Sequence, residues 1–157
     1  MIDRLDHTSN VIAQQIFSVF QRSYKIEAAL IGVDHFPPLL RTVNDIENAD
    51  SCFYGFFEND KLAAVVEIRV EVSAAHKHLD ICSLTVDPAF FRRGIAGKLL
   101  QYVMGIKGIS LFTVETAVVN FPAIRLYQKY GFVEFKRWIP DHGIEKLALA
   151  VKSNEVD

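Results

Sequence analysis

Apolar residues recur along the chain in two rhythms. Val11, Ile12, Ile16, Val19 and Phe20 follow helical spacing behind a capping Thr8-Ser9-Asn10, which predicts a helix to about Tyr24 or beyond after a short opening strand. Gly32 and the tandem Pro37-Pro38 interrupt any helix, so Ile31 to Pro38 reads as a loop, followed by a short helix from Leu39 to Ile46. From Cys52 strands take over. Strands Cys52 to Glu58 and Lys61 to Val72 flank Asn59-Asp60, a tight hairpin turn. In the second strand Ala64, Val66, Ile68, Val70 and Val72 alternate with Val65, Glu67, Arg69 and Glu71, which predicts one buried and one wet face over much of its length. A third strand runs from His78 to Val86.

The remainder alternates between the two rhythms: a helix from Arg93 to Met104, a strand from Ile109 to Val118, a helix from Phe121 to Tyr130, then strands Phe132 to Trp138 and Ile144 to Lys152. Strand-helix-strand units after an antiparallel meander specify an α/β (α+β) class, a mixed sheet covered by helices.

No repeat, low-complexity tract or linker divides the 157 residues, so the expectation is one domain over 1–157. A chain of this size buries roughly 70% of its unfolded surface and needs no staples. Cys52 and Cys82 lie in apolar runs without a CxxC pairing and are expected to be buried structural thiols in a reducing compartment. His76-Lys77-His78 lacks a third ligand and is expected to be exposed, with no metal. With 17 basic against 19 acidic side chains, the net charge of −2 gives no global attraction to nucleic acid or an anionic membrane. No apolar run reaches membrane-span length, and the opening Met1-Ile2-Asp3-Arg4 lacks the signal-peptide pattern, so a cytoplasmic location is expected.

The chemistry concentrates where the third strand gives way to the next helix, through Val86-Asp87-Pro88-Ala89-Phe90-Phe91-Arg92-Arg93-Gly94-Ile95-Ala96-Gly97-Lys98. The first turn of a helix leaves backbone N–H groups without partners, and its dipole favours an anion there. Gly94, Ala96 and Gly97 keep side chains out of the way of a diphosphate, and Arg92 and Arg93 reach outlying phosphates. The segment is not a Walker loop, because Leu99 follows Gly97-Lys98, and it has no GxGxxG. A second segment, Asn120-Phe121-Pro122-Ala123-Ile124-Arg125-Leu126-Tyr127-Gln128-Lys129-Tyr130-Gly131-Phe132, opens with a capping Asn and a first-turn Pro and closes on Gly131.

Together these segments resemble motifs A and B of the GNAT superfamily of acetyl-CoA-dependent N-acetyltransferases, over about residues 79 to 132. The resemblance implies a mixed, mostly antiparallel sheet of six to seven strands flanked by about four helices, with acetyl-CoA as co-substrate. It implies a donor site made of Leu84, Thr85 and Val86, of Phe91, Arg92, Arg93, Gly94, Ile95, Ala96, Gly97 and Lys98, and of Asn120, which binds the pantetheine arm or only caps its helix. Phe91 stands where the family usually carries Gln or Arg. The main-chain cradle is expected to survive that change with weaker side-chain support.

Acetylating an amine poses a protonation problem. A lysine-like amine with a pKa near 10.4 is neutral in only about one molecule in ~2,500 at pH 7, a cost of about 4.6 kcal/mol that a carboxylate relieves. On resemblance the candidates are Asp80 and Glu115, with Glu115 favoured for its longer reach, and Tyr127 is the general acid for the departing CoA sulfur. The resemblance also implies an acceptor site at the first helix, its loop and the C-terminal hairpin, where Tyr24, Glu27, His35, Phe36, Trp138 and His142 are expected to suit a small amine with an apolar body or a peptide amine. Direct attack in a ternary complex is expected, with neither cysteine as nucleophile. The alternatives are a non-catalytic acyl-CoA sensor or scaffold, and an enzyme using another acyl-CoA or an alcohol. A monomer and a homodimer are both compatible with the sequence.

Overall fold

A computed structural model of the chain describes residues 1–153. Among the described residues one seven-stranded sheet, in the order β1-β2-β3-β4-β5-β7-β6, carries four α-helices. The strands are β1 (Ile2–Leu5), β2 (Cys52–Glu58), β3 (Lys61–Ser73), β4 (His76–Val86), β5 (Leu111–Ala117), β6 (Val133–Trp138) and β7 (Lys146–Lys152). The helices are α1 (Asn10–Ile31), α2 (Val43–Glu47), α3 (Ile95–Met104) and α4 (Phe121–Lys129). Among the described residues only β4 and β5 pair in parallel. This is the mixed, mostly antiparallel architecture expected.

Helix α1 runs past Tyr24 to Ile31, where Gly32 at φ 82° turns its N–H back onto the Ala28 carbonyl. The helix expected over Leu39 to Ile46 is two pieces, a 3-10 turn Pro37–Leu40 and α2. Thr42 breaks them apart, because its side chain caps Asp45 N–H while the Asp45 carboxylate accepts from Thr42 N–H. The hairpin at Asn59-Asp60 has both residues at positive φ, as a type I′ turn requires.

Two layers of core sandwich the sheet. Ile16, Phe20, Ile46, Phe53 and Val65 pack beneath α1 and α2, and Val66, Ile68, Leu79, Ile81, Leu99 and Phe112 pack on the α3 side. β3 therefore departs from its expected half-wet pattern. Ala63 to Ile68 are buried on both faces between the helical layers, and Arg69 to Ser73 run beyond them into solvent. Glu67, expected on a wet face, is buried. Arg41 meets it through two bonds of 2.6 and 2.9 Å, and the Ser51 and Ser83 hydroxyls donate at 2.5 and 3.2 Å. Burial alone would raise the Glu67 carboxyl, but these donors hold it below its ordinary value.

The cysteines are not core thiols. Cys52 is half-buried and Cys82 exposed, and Cys82 is the extra residue of a bulge, since Glu67 and Ile68 pair with Ser83 and Ile81. His78 likewise is half-buried and meets Thr113 Oγ1 at 2.5 Å, not solvent. Among the described residues no helix is long and apolar enough to cross a membrane.

Candidate functional site

β4 and β5 pair only from His78 to Ile81 against Leu111 to Val114. Past the Cys82 bulge they diverge, so residues 83–86 stay bonded to β3 on one edge while the other edge faces an opening. Leu84, Thr85 and Val86 thus offer main-chain groups to an occupant, as a strand edge does. The Thr85 side chain faces away, with its hydroxyl donating to the Val65 carbonyl.

Two cavities flank this opening, of about 290 and 560 Å³. They share five residues, Glu27, Leu84, Asn120, Ala123 and Tyr127. The larger cavity lies along the turn into α3 and is lined by Val86 and by Phe91 through Gly97. The smaller is walled by Tyr24, Phe36, Pro37 and Pro38 on one side and by Cys82, Glu115, His142 and Lys146 on the other. His35 and Trp138 line neither. His35 is exposed, and the Trp138 ring is covered by the Lys136 and Lys146 ammonium groups at 4.7 and 5.9 Å.

The turn into α3 is shaped for an anion. Arg92 and Gly94 are both left-handed, at φ 66° and 72°, which folds successive N–H groups into a concavity at the helix start. These two residues delay α3 to Ile95, two positions beyond the expected Arg93. A Cβ on Gly94 would meet nothing within 4 Å, so the space before it is open. Asp87 anchors the turn by accepting from Ala89 N–H at 2.9 Å and pairing with Arg22 of α1 at 3.1 Å. A diphosphate fits this cradle, with Phe91 through Gly97 around it.

The side chains beside the cradle divide unevenly. Arg93 pairs with Glu58 at 2.6 Å and lies over the Phe90 ring, whereas Arg92 is exposed on the cavity wall. Lys98 sits over the Phe56 ring and lines neither cavity. The smallness of Gly97 is taken up by a neighbour as much as by any ligand, because a Cβ there would lie 3.0 Å from the Tyr130 hydroxyl.

Tyr127 stands at the junction. Its ring packs edge-on against Phe132 at 5.5 Å, and burial, then the charges of Glu27 and Asp80, raise the phenol well above its ordinary pKa, so it remains a proton donor at neutral pH. Asn120 caps α4 by accepting from Ala123 N–H at 3.4 Å and donates from Nδ2 to Glu27 Oε1 at 2.8 Å, which ties α1 to α4. Tyr24 stacks near Phe20 and Phe36, and its hydroxyl is also raised, by burial and the nearby Glu27 and Glu67.

Of the two carboxylates favoured from sequence, Glu115 is on the wall of the smaller cavity, 3.5 Å from Lys146 and about half exposed. Asp80 lines neither cavity, and its carboxylate accepts from Thr113 Oγ1 at 2.7 Å. Cys82 opens on the smaller cavity, but burial, then the charges of Glu67 and Asp80, push its thiol up to about 12, so it holds its proton. Lys146 and Cys82 were not singled out from sequence as site residues. One follows an irregular loop and the other needs a bulge to reach the cleft, and neither carries a local signature. No group of three or more metal-ligating side chains occurs among the described residues.

Residues 14–132 match the model of the Acetyltransferase (GNAT) family. Over 133 residues the chain is 36% identical to UPF0157 protein YqkA of Bacillus subtilis (strain 168), covering 84% of this chain and 38% of that protein. The chain therefore spans under two-fifths of the length of that curated relative. Among solved structures, aminoglycoside 6'-acetyltransferase type Ii superposes with a TM-score of 0.74 at 13% identity, over 100% of this chain and 99% of the other. PaiA N-acetyltransferase of Thermoplasma acidophilum in complex with coenzyme A gives 0.72 at 20%, over 97% and 98%. The ribosomal-protein-S18-alanine N-acetyltransferase of Escherichia coli gives 0.70 at 18%, over 100% and 96%. These likenesses establish a shared fold.

Proposed function

Because the chain belongs to the acetyltransferase (GNAT) family, we propose that it moves an acetyl group from acetyl-CoA to a primary amine of a small molecule or peptide, by direct attack in a ternary complex. The observation that carries this reading is the meeting of two cavities at Tyr127 inside the gap between β4 and β5. The donor lies in the larger cavity, its diphosphate on the amides from Phe91 to Gly97 and its amide arm along the free edge of Leu84 to Val86. The acceptor enters through the smaller cavity, between Tyr24 and Phe36 on one side and β5 on the other.

The nitrogen forms its bond to the acyl carbon as the carbon–sulfur bond opens. A β4 main-chain N–H supports the charge that gathers on the acyl oxygen, and the Tyr127 phenol gives its proton to sulfur. The amine's own proton needs a carboxylate. Glu115 stands on the cleft wall, and Asp80 lies one strand away, bonded to Thr113. Thiol release from acetyl-CoA across a panel of amines, polyamines, amino acids, aminoglycosides and peptides tests the reading. Turnover with one of them supports it, and tight CoA binding without turnover for any favours the sensor alternative.

A further inference from the structure

We infer that Glu27 of α1 is the catalytic carboxylate that receives the proton of the attacking amine, an assignment that rests on the acyl-transfer reading above. Among the described residues Glu27 is the one carboxylate that lines both cavities. Every rival around the cleft is otherwise engaged. Glu67 is buried under Arg41, Ser51 and Ser83, Asp80 is outside both cavities on Thr113, and Glu115 lines only the acceptor side, against Lys146.

Its geometry fits the role. The Asn120 amide fixes Oε1 at 2.8 Å, and Tyr127 belongs to the same junction, so the proton acceptor and the proton donor stand on the two helices that close the gap. Burial raises the Glu27 carboxyl, an effect that the Asn120 bond and the Lys146 charge only partly offset, which moves its basicity toward neutral pH. The charged and titratable groups around it are Tyr24 on its own helix, Cys82 from β4, Tyr127 from α4, Glu115 from β5, Lys146 from β7 and His142 from the loop before it on the acceptor side, and Arg92 and Arg93 on the donor side. The protons balance. One passes from the amine to Glu27 as the N–C bond forms, one passes from Tyr127 to sulfur as the C–S bond breaks, and the Glu27 proton then restores the phenol. An amine that arrives protonated sheds one further proton to solvent.

The test compares the 157-residue wild-type chain with E27Q, E115Q and D80N, using acetyl-CoA with benzylamine, spermidine, kanamycin and an alanine-initiated peptide, and separately with hydroxylamine. Hydroxylamine is uncharged at neutral pH and attacks without prior deprotonation. E27Q is expected to lower the ratio of amide to hydroxamate at least ~30-fold and to reduce the acidic limb of kcat/KM against pH to the unit slope set by the amine's own ionisation, as loss of a general base does. E115Q and D80N are expected to retain that limb in full whatever their rates. An unreduced limb in E27Q, or its reduction in E115Q or D80N, overturns the assignment. A wild type that forms neither hydroxamate nor any amide overturns the acyl-transfer reading itself, and the assignment with it. If hydroxamate forms but no amine in the panel reacts, ¹³C-detected titration of the wild-type Glu27 carboxyl decides. A midpoint above the ordinary carboxylate range that moves when CoA is added supports the role, and a signal indifferent to CoA overturns it.

Discussion

Replacing Arg41 with Met keeps an aliphatic stem but strands the Glu67 carboxylate, which is 5% exposed, without its cation. Breaking a buried pair costs about 3–5 kcal/mol. Arg41 is itself 28% exposed and the Ser51 and Ser83 hydroxyls remain, so the lower end applies, about 3 kcal/mol. For a chain of this length that corresponds to a fall in Tm of about 6–12 °C. The loss also depends on pH. In the native protein Glu67 titrates below its ordinary value, so its contribution is present above the unfolded carboxylate pKa and fades as pH falls through the folded one. Without Arg41, burial dominates and protonation relieves the stranded charge. The gap between variant and wild type in thermal melts followed by circular dichroism is therefore largest near pH ~8 and narrows toward pH ~4. A gap under ~2 °C, or one equal at both pH values, refutes the claim that this pair offsets a buried charge. Arg41 also follows the Pro37–Leu40 turn that walls the acceptor cavity, which Gln21 holds through the Leu39 carbonyl at 2.9 Å. The variant's KM for an acceptor should rise while CoA affinity stays put.

Three further expectations follow from the cleft. Tyr127→Phe should lower turnover at least ~10-fold with CoA affinity by calorimetry nearly unchanged; full turnover removes the phenol from the mechanism. Gly94→Glu should abolish CoA binding by filling the open space with charge, yet cost only about 1–2 kcal/mol for its left-handed backbone, a few degrees in a melt; retained affinity means the cradle lies elsewhere. Arg92→Ala should weaken CoA ~10-fold and Arg93→Ala less than ~3-fold, since Arg93 is held by Glu58 whereas Arg92 pairs with no carboxylate among the described residues; the opposite order in titration calorimetry counts against the Glu58 pairing.

The legible parts of the site are those where the backbone itself sets the residue type. Gly94 needs a left-handed conformation, Asn120 a capping side chain, Pro122 a first-turn φ, and Gly131 closes its helix at φ 91°. Each leaves a local mark in the sequence. The strands were legible for the same reason, since period two survives wherever a face is buried. What stayed hidden depends on partners far away in the chain. Glu27 finds Asn120 across 93 positions, Glu58 finds Arg93 across 35, and Glu67 finds Arg41 across 26. No periodicity announces such a pairing. Parity failed at Cys82 because one inserted residue reverses which way its neighbours face. It failed on β3 because a central strand has helices above and below.

On the proposed reading, donor and acceptor approach from the two cavities that meet at Tyr127 in the gap between β4 and β5. Neither visitor has to pass the other, so no compulsory order of addition is built into the architecture, and spent carrier can depart while the acetylated product is still seated. The same arrangement lets unreacted acceptor settle beside spent carrier in a dead-end pairing. Inhibition at high acceptor concentration, relieved by raising acetyl-CoA, is the kinetic mark that such a shared junction leaves.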